Sequence, residues 1–441
     1  MIDFIDRWWR NYQFSNALKQ GNIHLTERLL RNKQNSGTRL TWLEKIFRDK
    51  LCLEQANRES RQEVLTLQQQ LQQAFQRLED TENKYHFHET QSYRLQPDFQ
   101  LIGSISDQFK LIQHDEYKLQ CPGIDRHLFD EFEFTLVEYL KQELEKKSTV
   151  QLQFKKAIKA AYYDIDNLKN GKDPNYNLDL TPHVYFIKCF LNNVYGAYLA
   201  WFLVYKLGLL PTKINILDIA AGSATMAYGL SLLLQSFDGL LQIPQTHICY
   251  HSLEKQASFQ HRGLQFWRRY MEILPIATNS YFRFDTTDIF SDIENNQRLP
   301  QDFFDFIVIS HCFFSDSAQR LQSYRVFKNI FSTCLKPGGY VLLIVQGRKL
   351  FNFYDLPQTE DIPQELKTIA RFLEDLELSL EWYNYATSTG KRTPIKSEFA
   401  KFVTENLPAQ KHMLNLAQKY LGIKHNLNYV LDDYIILAKK P

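Results

Sequence analysis

Paired cysteines are missing from this 441-residue chain. Its six cysteines form no Cys-x-x-Cys pair and show no zinc-ligand spacing, so the pattern indicates neither a metal site nor a disulfide framework. Cysteines scattered this widely are typical of reduced thiols in the cytoplasm. The first ten residues also lack the apolar run of a signal peptide. We therefore expect a cytoplasmic protein with no bound metal.

An excess of charge of either sign is lacking too. The chain has 52 Lys and Arg against 50 Asp and Glu, which makes no strong electrostatic case for nucleic acid or an anionic membrane. One uncharged stretch, residues 189–205, includes Asn192 and Asn193. It is shorter than the span of about 20 apolar residues that a membrane helix needs. We expect a buried helix there and no membrane insertion.

The composition otherwise indicates a folded chain of two or three domains, since 44% of the residues are apolar and 14% aromatic. Residues 1–95 are expected to be helical. Residues 51–90 contain no Gly or Pro, and a short heptad seam is formed by Val64, Leu67, Leu71, Ala74 and Leu78. Only about two heptads are present. The seam therefore favours a short helical hairpin or a modest dimerisation element over a long coiled coil, and a homodimer through these helices is one expectation.

Residues 96–210 are predicted to form a mainly helical accessory or lid region. Residues 98–125 leave a choice between short strands and irregular structure. Apolar residues at helical spacing, broken by a loop at 170–182 that is rich in Asn and Asp, predict helices at about 130–146, 152–168 and 182–207.

From residue 211 onward, apolar runs alternate with helical stretches. Strands are predicted at 214–219, 247–253, 281–284, 304–310 and 340–345, and later at 380–386 and 428–439. Helices are predicted at 363–376, 396–405 and 409–421. Strands that alternate with helices indicate a mostly parallel sheet with helices on both faces. The two late strands could complete it with an antiparallel edge. Residues 211–441 are therefore predicted to be one α/β domain.

The first strand of this domain ends in an acidic residue and a turn of small residues. Asp218 is followed by Ala220, Gly222 and Ala224, and a helix begins directly after them. Small side chains let a ligand approach the backbone, and ligands of open α/β sheets bind at the carboxyl ends of the strands. The helix N-terminus offers free N–H groups to a carboxylate. The alternative is a turn that needs small residues only for packing.

Two further strands also end in acids. Glu254 ends the second strand, where a carboxylate can accept both hydroxyl groups of a ribose. Asp285 and Asp288 follow the third strand, and one of them could accept from an exocyclic amine such as that of adenine. A Leu-Lys-Pro-Gly-Gly turn at 335–339 introduces the fifth strand.

Together these motifs resemble the class I S-adenosylmethionine-dependent methyltransferase family, over about residues 210–441. The resemblance implies a Rossmann-like, seven-stranded, mostly parallel sheet, preceded here by the helical N-terminal region. It implies S-adenosyl-L-methionine as the cofactor and methyl transfer by direct displacement. It places the methionine part near Asp218 and Gly222, the ribose at Glu254 and the adenine amine at Asp288 or, second, Asp285. The full cofactor set carried over is Asp218, Ala220, Ala221, Gly222, Ser223, Glu254, Asp288 and Ser310.

The chain departs from the family pattern at three points. Ala220 replaces the usual first glycine of the turn, and Ala224 stands at the third small position. Both methyl groups narrow the room for a cofactor. The interval from Asp218 to Glu254 exceeds the roughly 20 residues of a simple unit, and an Asp238-Gly239 turn inside it indicates an insertion. A loss of cofactor binding therefore stays open.

His311 is the predicted catalytic residue, because it follows the fourth strand and should face the cleft, where it could take a proton from the acceptor. A histidine that hydrogen-bonds loop backbone is the alternative. Phe313 and Phe314 could stack on a flat substrate, although such residues more often fill the core. Among the aromatic residues of the helix before the first strand, Tyr185, Tyr195 and Tyr198, most are expected in the core and some in a lid over the cofactor.

Three functions are compatible with these patterns. The first is an active methyltransferase whose acceptor is a small molecule, a protein or RNA. No Asn/Asp-Pro-Pro-Tyr/Phe motif of base-amine methylation and no paired catalytic cysteines are present, which lowers nucleobase targets. The second is an inactive, methyltransferase-like scaffold or protein-binding module. The third is a nicotinamide-dependent oxidoreductase, which the absence of a Gly-x-Gly-x-x-Gly run disfavours.

Overall fold

The computed structural model describes residues 13–14, 16–17, 23–35, 45, 94–150, 153–170, 172–237, 246–271, 279–290, 299–392 and 406–441. It contains two compact units, Met1–Gln91 and Ser92–Pro441. In the first unit, helix α1 covers Ile23–Asn35. The predicted heptad seam, the Asp238-Gly239 turn and the helix at 396–405 lie outside the described residues. The predicted domain boundaries at residues 95 and 210 stay predictions.

The second unit alternates helices and strands in the order expected from the sequence. Its helices are α2 Phe99–Gln108, α3 Arg126–Val150, α4 Phe154–Asp166, α5 Thr181–Tyr185, α6 Leu191–Lys206, α7 Thr225–Gln235, α8 Ala257–Met271, α9 Ser317–Cys334, α10 Gly347–Asn352, α11 Ile362–Asp375 and α12 Met413–Leu421. A π-helical turn at Phe186–Phe190 joins α5 to α6. Its strands are β1 Ile112–Asp115, β2 Lys118–Gln120, β3 Lys213–Ile219, β4 His247–Glu254, β5 Asn279–Thr286, β6 Phe304–Ser310, β7 Leu335–Gln346, β8 Ser379–Thr387 and β9 Asp432–Lys439.

The sheet has nine strands, in the order β1-β2-β8-β9-β7-β6-β3-β4-β5, so the prediction of seven strands was wrong. The seven predicted strands are all present as β3 to β9. The two additional strands are a hairpin, β1 and β2, whose second strand pairs in parallel with β8. The last strand is antiparallel to both β7 and β8 and lies between them. The sheet is therefore extended at one edge by residues that precede the predicted α/β domain.

Alternate side chains of the central strands pack on opposite faces of the sheet. On β6, Phe306 and Val308 belong to one apolar cluster, and Ile307 and Ile309 belong to another. This alternation follows from the two-residue repeat of a strand. Helices cover both faces, which explains why these strands read as continuous apolar runs.

Helix α6 is the uncharged stretch noted in the sequence, and the prediction of a buried helix is confirmed. Its residues from Leu191 to Tyr205 are nearly all buried, and it packs closely on α7. A Cβ atom at Gly229 of α7 would lie 2.6 Å from the Ala197 backbone of α6, so glycine is needed at this crossing. Among the described helices, none is both long and apolar enough to cross a membrane.

A buried ion pair fastens the added hairpin. Arg392, only 2% exposed, places its Nε atom 2.6 Å from Glu365 Oε2 on α11 and its two Nη atoms 3.1 and 3.2 Å from the Asp115 carboxylate of β1. Tyr383 and Tyr434 donate to Glu365 as well. Removing one partner of such a pair would leave a buried charge uncompensated, at a cost of about 3–5 kcal/mol.

Candidate functional site

The order of the strands fixes where a ligand can bind. β3 pairs in parallel with β4 on one side and with β6 on the other, so the chain changes direction across the sheet between these strands. A crevice opens at such a switch point, outside the carboxyl ends of the strands. Asp218, Glu254 and Ser310 lie at the carboxyl ends of β3, β4 and β6. The predicted residues are thus brought to one edge.

The turn from β3 to α7 has three residues with left-handed backbone angles. Ala220 has a φ of 55°, Gly222 of 55° and Ala224 of 61°. A left-handed conformation costs a residue with a Cβ atom about 1–2 kcal/mol, which explains the preference for small residues here. A Cβ atom at Gly222 would meet nothing within 4 Å. The turn is therefore open on the side of Gly222.

Asp218 is buried at the floor of this turn, with 1% of its surface exposed. Tyr250 donates a hydrogen bond to its Oδ2 atom, while Oδ1 has no hydrogen-bond partner among the residues that the structure describes. Burial raises the pKa of this carboxyl group to about 7, because a charge is poorly solvated there. A buried oxygen without a partner is rare and indicates a ligand or a functional role.

Glu254 faces the same turn and accepts hydrogen bonds both from it and from the loop that follows β4. Its Oε2 atom accepts the Gly222 N–H at 2.7 Å, and Oε1 accepts the Gln256 N–H at 2.7 Å. The side chain is 8% exposed, and burial raises its pKa although the backbone N–H groups of Gln256, Gly222 and Lys255 oppose the shift. A carboxylate has about four lone-pair sites, so this one can still accept from a ligand.

A cavity of about 440 Å³ opens over this edge of the sheet. Pockets for small molecules and cofactors commonly enclose about 300–1,000 Å³. Eight of the nine predicted site residues line it, namely Asp218, Ala220, Ala221, Gly222, Glu254, Asp288, Ser310 and His311. Ser223 does not line it: the residue is buried, and its backbone lies so close to Gly263 that a Cβ atom there would be 2.6 Å from Ser223 O.

The structure also distinguishes the two acids predicted to follow the third strand, of which Asp285 lies within β5 and Asp288 lies after it. Asp288 lines the cavity, where its carboxylate accepts the Phe290 N–H at 3.1 Å and lies 2.7 Å from Lys255 Nζ. Asp285 does not line it and instead contacts His251 Nε2 at 2.8 Å. Of the two candidates, Asp288 is the one that a ligand in the cavity could reach.

His311 lies at the wall of the cavity in a left-handed backbone conformation, with a φ of 59°. Its N–H donates to Ile344 O of β7 at 2.8 Å. The ring lies between two side chains, with Nδ1 3.0 Å from Ser310 Oγ and Nε2 3.1 Å from Asp433 Oδ1. The ring thus contacts side chains and not loop backbone. Sequence reasoning missed Asp433, since no local pattern links β9 to β6.

The segment 172–177, here called the strap, forms one side of the cavity. All of its residues except the first line the cavity. Asp164, buried on α4, accepts the backbone N–H groups of Asn175 at 2.7 Å and Tyr176 at 3.0 Å. The predicted loop at 170–182 is therefore not free, because a buried carboxylate holds its backbone over the site.

Three further contacts hold the strap against the residues that follow β4, β6 and β7. Asp173 pairs with Lys349 Nζ at 2.9 Å and accepts the Ser315 N–H at 2.8 Å. Gln256 donates from Nε2 to Asn177 Oδ1 at 3.3 Å. The strap thus joins the helical segment before the sheet to the loops that follow β4 and β6 and to α10. A lid formed by this segment stays a prediction.

The aromatic residues divide between core and cavity. Tyr195 and Tyr198 are buried and stack on Phe109, as expected for core residues. Tyr185 lines the cavity, and so does Phe314. The cavity thus has flat apolar walls beside its polar edge.

The charges along the cavity are mostly negative. Four carboxylates line it, those of Asp173, Asp218, Glu254 and Asp288, against one lysine, Lys255, among the described lining residues. Two of the four are paired with lysines, Asp173 with Lys349 and Asp288 with Lys255. Asp218 and Glu254 face no such partner in the contacts at the turn, so this part of the cavity suits a ligand with positive charge.

No family model and no curated protein matches this chain. Solved structures that are similar to it include an S-adenosylmethionine-dependent methyltransferase of Methanosarcina mazei, with 13% identity over 52% of this chain and 94% of the other, at a TM-score of 0.30. A 16S rRNA methyltransferase, KamB, has 11% identity over 52% and 88%, at 0.28. A fibrillarin–Nop5p complex has 12% identity over 53% and 75%, at 0.28. Likenesses this weak assign no function.

Proposed function

We propose that this chain is a methyltransferase that uses S-adenosylmethionine. The observation that carries the proposal is the convergence of eight predicted residues, from the ends of four strands, on one cavity of about 440 Å³. The sequence assigned seven of them to the cofactor and the eighth, His311, to the methyl acceptor. These residues meet at a single switch point. This supports a ligand site there over the alternative, a turn whose small residues serve only packing.

The residues present fit this cofactor in three respects. The Oδ1 atom of Asp218 is buried without a partner among the described residues, at the edge where the amino and sulfonium charges would lie. The open space at Gly222 leaves room for the methionine part beside the backbone. Glu254 and Asp288 both line the cavity, where their carboxylates would accept from the ribose hydroxyls and from the adenine amine.

When bound, the cofactor supplies a methyl group on a positively charged sulfur, which a nucleophile can attack directly. The protein then has to hold the acceptor in line and exclude water, which is the larger part of catalysis for such a displacement. The strap, held by Asp164 and by the Asp173–Lys349 pair, closes one side of the cavity for this purpose. His311 is our candidate for the group that takes the acceptor's proton.

The binding of S-adenosylmethionine to the purified full-length chain tests the proposal, by isothermal titration calorimetry. Gly222→Arg should abolish binding while the protein still folds, because the Cβ atom has space and only the longer side chain enters the cavity. Gly338→Arg is the matched control. Gly338 also has a positive φ of 76° and open space around its Cβ position, but it lies in the exposed Pro-Gly-Gly turn.

Glu254→Ala should weaken binding by roughly 1–3 kcal/mol, through the loss of an acceptor for buried hydroxyl groups. Glu254→Gln keeps one oxygen as an acceptor for a backbone donor and so separates this effect from a disturbed loop.

If Gly222→Arg leaves the heat of binding unchanged, this turn is not part of the binding site. No heat with the wild-type chain would favour the alternative, an inactive scaffold that binds a protein partner.

The acceptor itself stays open among a small molecule, a protein and RNA.

A homodimer through the N-terminal helices also stays a proposal. Sedimentation of the full chain beside a chain that begins at Ser92, where the second compact unit starts, would test it.

A further inference from the structure

We propose that Asp433 is a positioning residue that holds His311 with its proton on Nε2, so that Nδ1 becomes a base linked to the cavity by the Ser310 hydroxyl. The contacts that carry this are the 3.1 Å and 3.0 Å distances on the two sides of one imidazole ring. The part that this arrangement plays in methyl transfer rests on the proposed function. The arrangement itself does not.

The fold brings the three residues together from distant parts of the chain. Ser310 ends β6 and pairs in register with Ile344 of β7. Asp433 begins β9, which runs antiparallel to β7 and places Asp433 opposite Gln346 at the same edge. The ring of His311 therefore spans the end of β7, from the strand on one side to the strand on the other. The bond from its N–H to Ile344 O fixes the backbone in this position.

The backbone of His311 indicates that this geometry is selected. A φ of 59° is uncommon for a residue with a large side chain and costs about 1–3 kcal/mol. Such conformations persist where the surroundings determine them, and they concentrate at functional sites. Here the left-handed turn directs the ring between Ser310 and Asp433.

The chemistry of the groups determines where the proton lies. An ionised carboxylate can only accept, so Nε2 must carry the hydrogen that faces Asp433. A neutral imidazole with a proton on Nε2 has its lone pair on Nδ1. The Ser310 hydroxyl can then donate to Nδ1, and its oxygen lone pairs are left to accept a proton from a molecule in the cavity. Asp433 is only 10% exposed on its side chain, which limits competition from water.

The proposed step consists of two proton transfers and one methyl transfer. An acceptor O–H or N–H gives its proton to Ser310 Oγ, while the proton of Ser310 passes to His311 Nδ1. The electron pair of the acceptor forms the new bond to the methyl carbon, and the carbon–sulfur bond breaks with its pair left on sulfur. The imidazolium that forms is stabilised by Asp433 and later loses its proton to water. The step therefore requires an acceptor that gives up a proton, such as a hydroxyl or an amine, and excludes a thioether.

The test is the tautomer of His311, measured by ¹⁵N NMR on protein with labelled histidine at a pH where the spectrum shows neutral imidazole. The His311→Gln spectrum identifies the signal among those of the twelve histidines. We expect the proton on Nε2 in the wild-type chain. Asp433→Asn removes the charge that holds it there and should produce a measurable population with the proton on Nδ1. A wild-type ring protonated on Nδ1, or an unchanged ratio in Asp433→Asn, would overturn the proposal.

Two further variants separate this role from general structure. Asp432→Asn is the same change one residue earlier, on a side chain that contacts Tyr385, and should leave the His311 signals in place. Ser310→Ala should keep the tautomer but shift the Nδ1 resonance, because that atom loses its donor. An unmoved Nδ1 resonance would overturn the link to the cavity. If Asp433→Asn does not fold, the wild-type and Ser310→Ala spectra still decide the question.

Titration with S-adenosylmethionine keeps the two proposals apart. We expect Asp433→Asn to bind the cofactor with an affinity within about threefold of the wild-type value, since this change leaves the turn that holds the cofactor in place. Failure of the wild-type chain to bind the cofactor would end the proposed function and leave the tautomer result standing. A loss of binding in Asp433→Asn alone would show that Asp433 supports the site as a whole, against the positioning role.

Discussion

Among the single residues of the site, Asp218 combines a cost in stability with the role in binding that we propose for it. Burial raises the pKa of its carboxyl group from 3.8 to about 7. Because the folded-state pKa is the higher one, the contribution of Asp218 to stability is fully present below about pH 4 and is lost as the pH rises through about 7. A cation beside the carboxylate would offset that loss. A residue that destabilises its own fold in this way is typical of functional sites.

Asp218→Asn should therefore flatten the pH dependence of stability. Between about pH 5 and pH 8 the wild-type chain should lose roughly 3 kcal/mol more unfolding free energy than the variant, because only the wild type must ionise a buried group. Urea denaturation at both pH values measures the difference. The variant keeps an oxygen for Tyr250 and should bind the cofactor more weakly. Parallel pH profiles for the two proteins would contradict the buried ionisation.

The left-handed alanines of the turn provide a second test at this scale. Ala220→Gly removes a strain of about 1–2 kcal/mol and adds about 0.4–1 kcal/mol of entropy to the unfolded chain. The unfolding free energy should therefore rise by about 0.5–1 kcal/mol, as measured by urea denaturation. Ala221→Gly is the matched control, since Ala221 has no positive φ, and it should lower the unfolding free energy by about 0.4–1 kcal/mol. A fall in both variants would mean that Ala220 is unstrained.

At the scale of elements, long apolar runs could be predicted and short mixed ones could not. Strand β6 covers Phe304–Ser310, the predicted 304–310, because both of its faces are buried and its sequence is apolar apart from Asp305 and Ser310. Strands β1 and β2 have four and three residues and are partly exposed, so the sequence left a choice between short strands and irregular structure there. Their place in the sheet depends on the buried Arg392 ion pair, which is a contact between distant segments.

The residues of the candidate site also fall into two groups, those that could be predicted from the sequence and those that could not. Asp218, Glu254 and Asp288 could be predicted because each follows a strand, and the ends of parallel strands share one edge. The partners of these residues could not. Tyr250 reaches Asp218 from the neighbouring strand, and Asp433 reaches His311 only because β9 runs antiparallel to β7. Side chains that meet because their strands pair in a sheet have no characteristic spacing in the sequence.

The strap is the element whose stability can be tested separately. Asp164→Ala removes the acceptor of two backbone N–H groups, each worth about 1.5–3 kcal/mol with a charged acceptor. Hydrogen exchange at residues 172–177 should become at least about tenfold faster, as measured by mass spectrometry. The control is Asp179→Ala, which removes an exposed ion pair with Lys147. Equal exchange in Asp164→Ala and the wild type would mean that Asp164 does not hold the strap.

At the scale of the whole second unit, one sheet carries both the cavity and the segments that close it. Residues before β3 supply the strap, and residues after β7 supply Asp433 and Lys349, so the site depends on nearly the full length of Ser92–Pro441. Nine strands in one sheet bring these segments to the carboxyl edge of β3, β4 and β6. The central claim is that this edge binds an adenosyl group with a charged sulfur beside Asp218.

The most direct measurement is a crystal structure of the chain grown with S-adenosylhomocysteine. We predict density for the nucleoside in the cavity of about 440 Å³, with both ribose hydroxyls within hydrogen-bonding distance of Glu254 and the adenine amine facing Asp288. Density for the ligand at another surface, or a cavity that stays closed to it at saturating concentration, would contradict the claim.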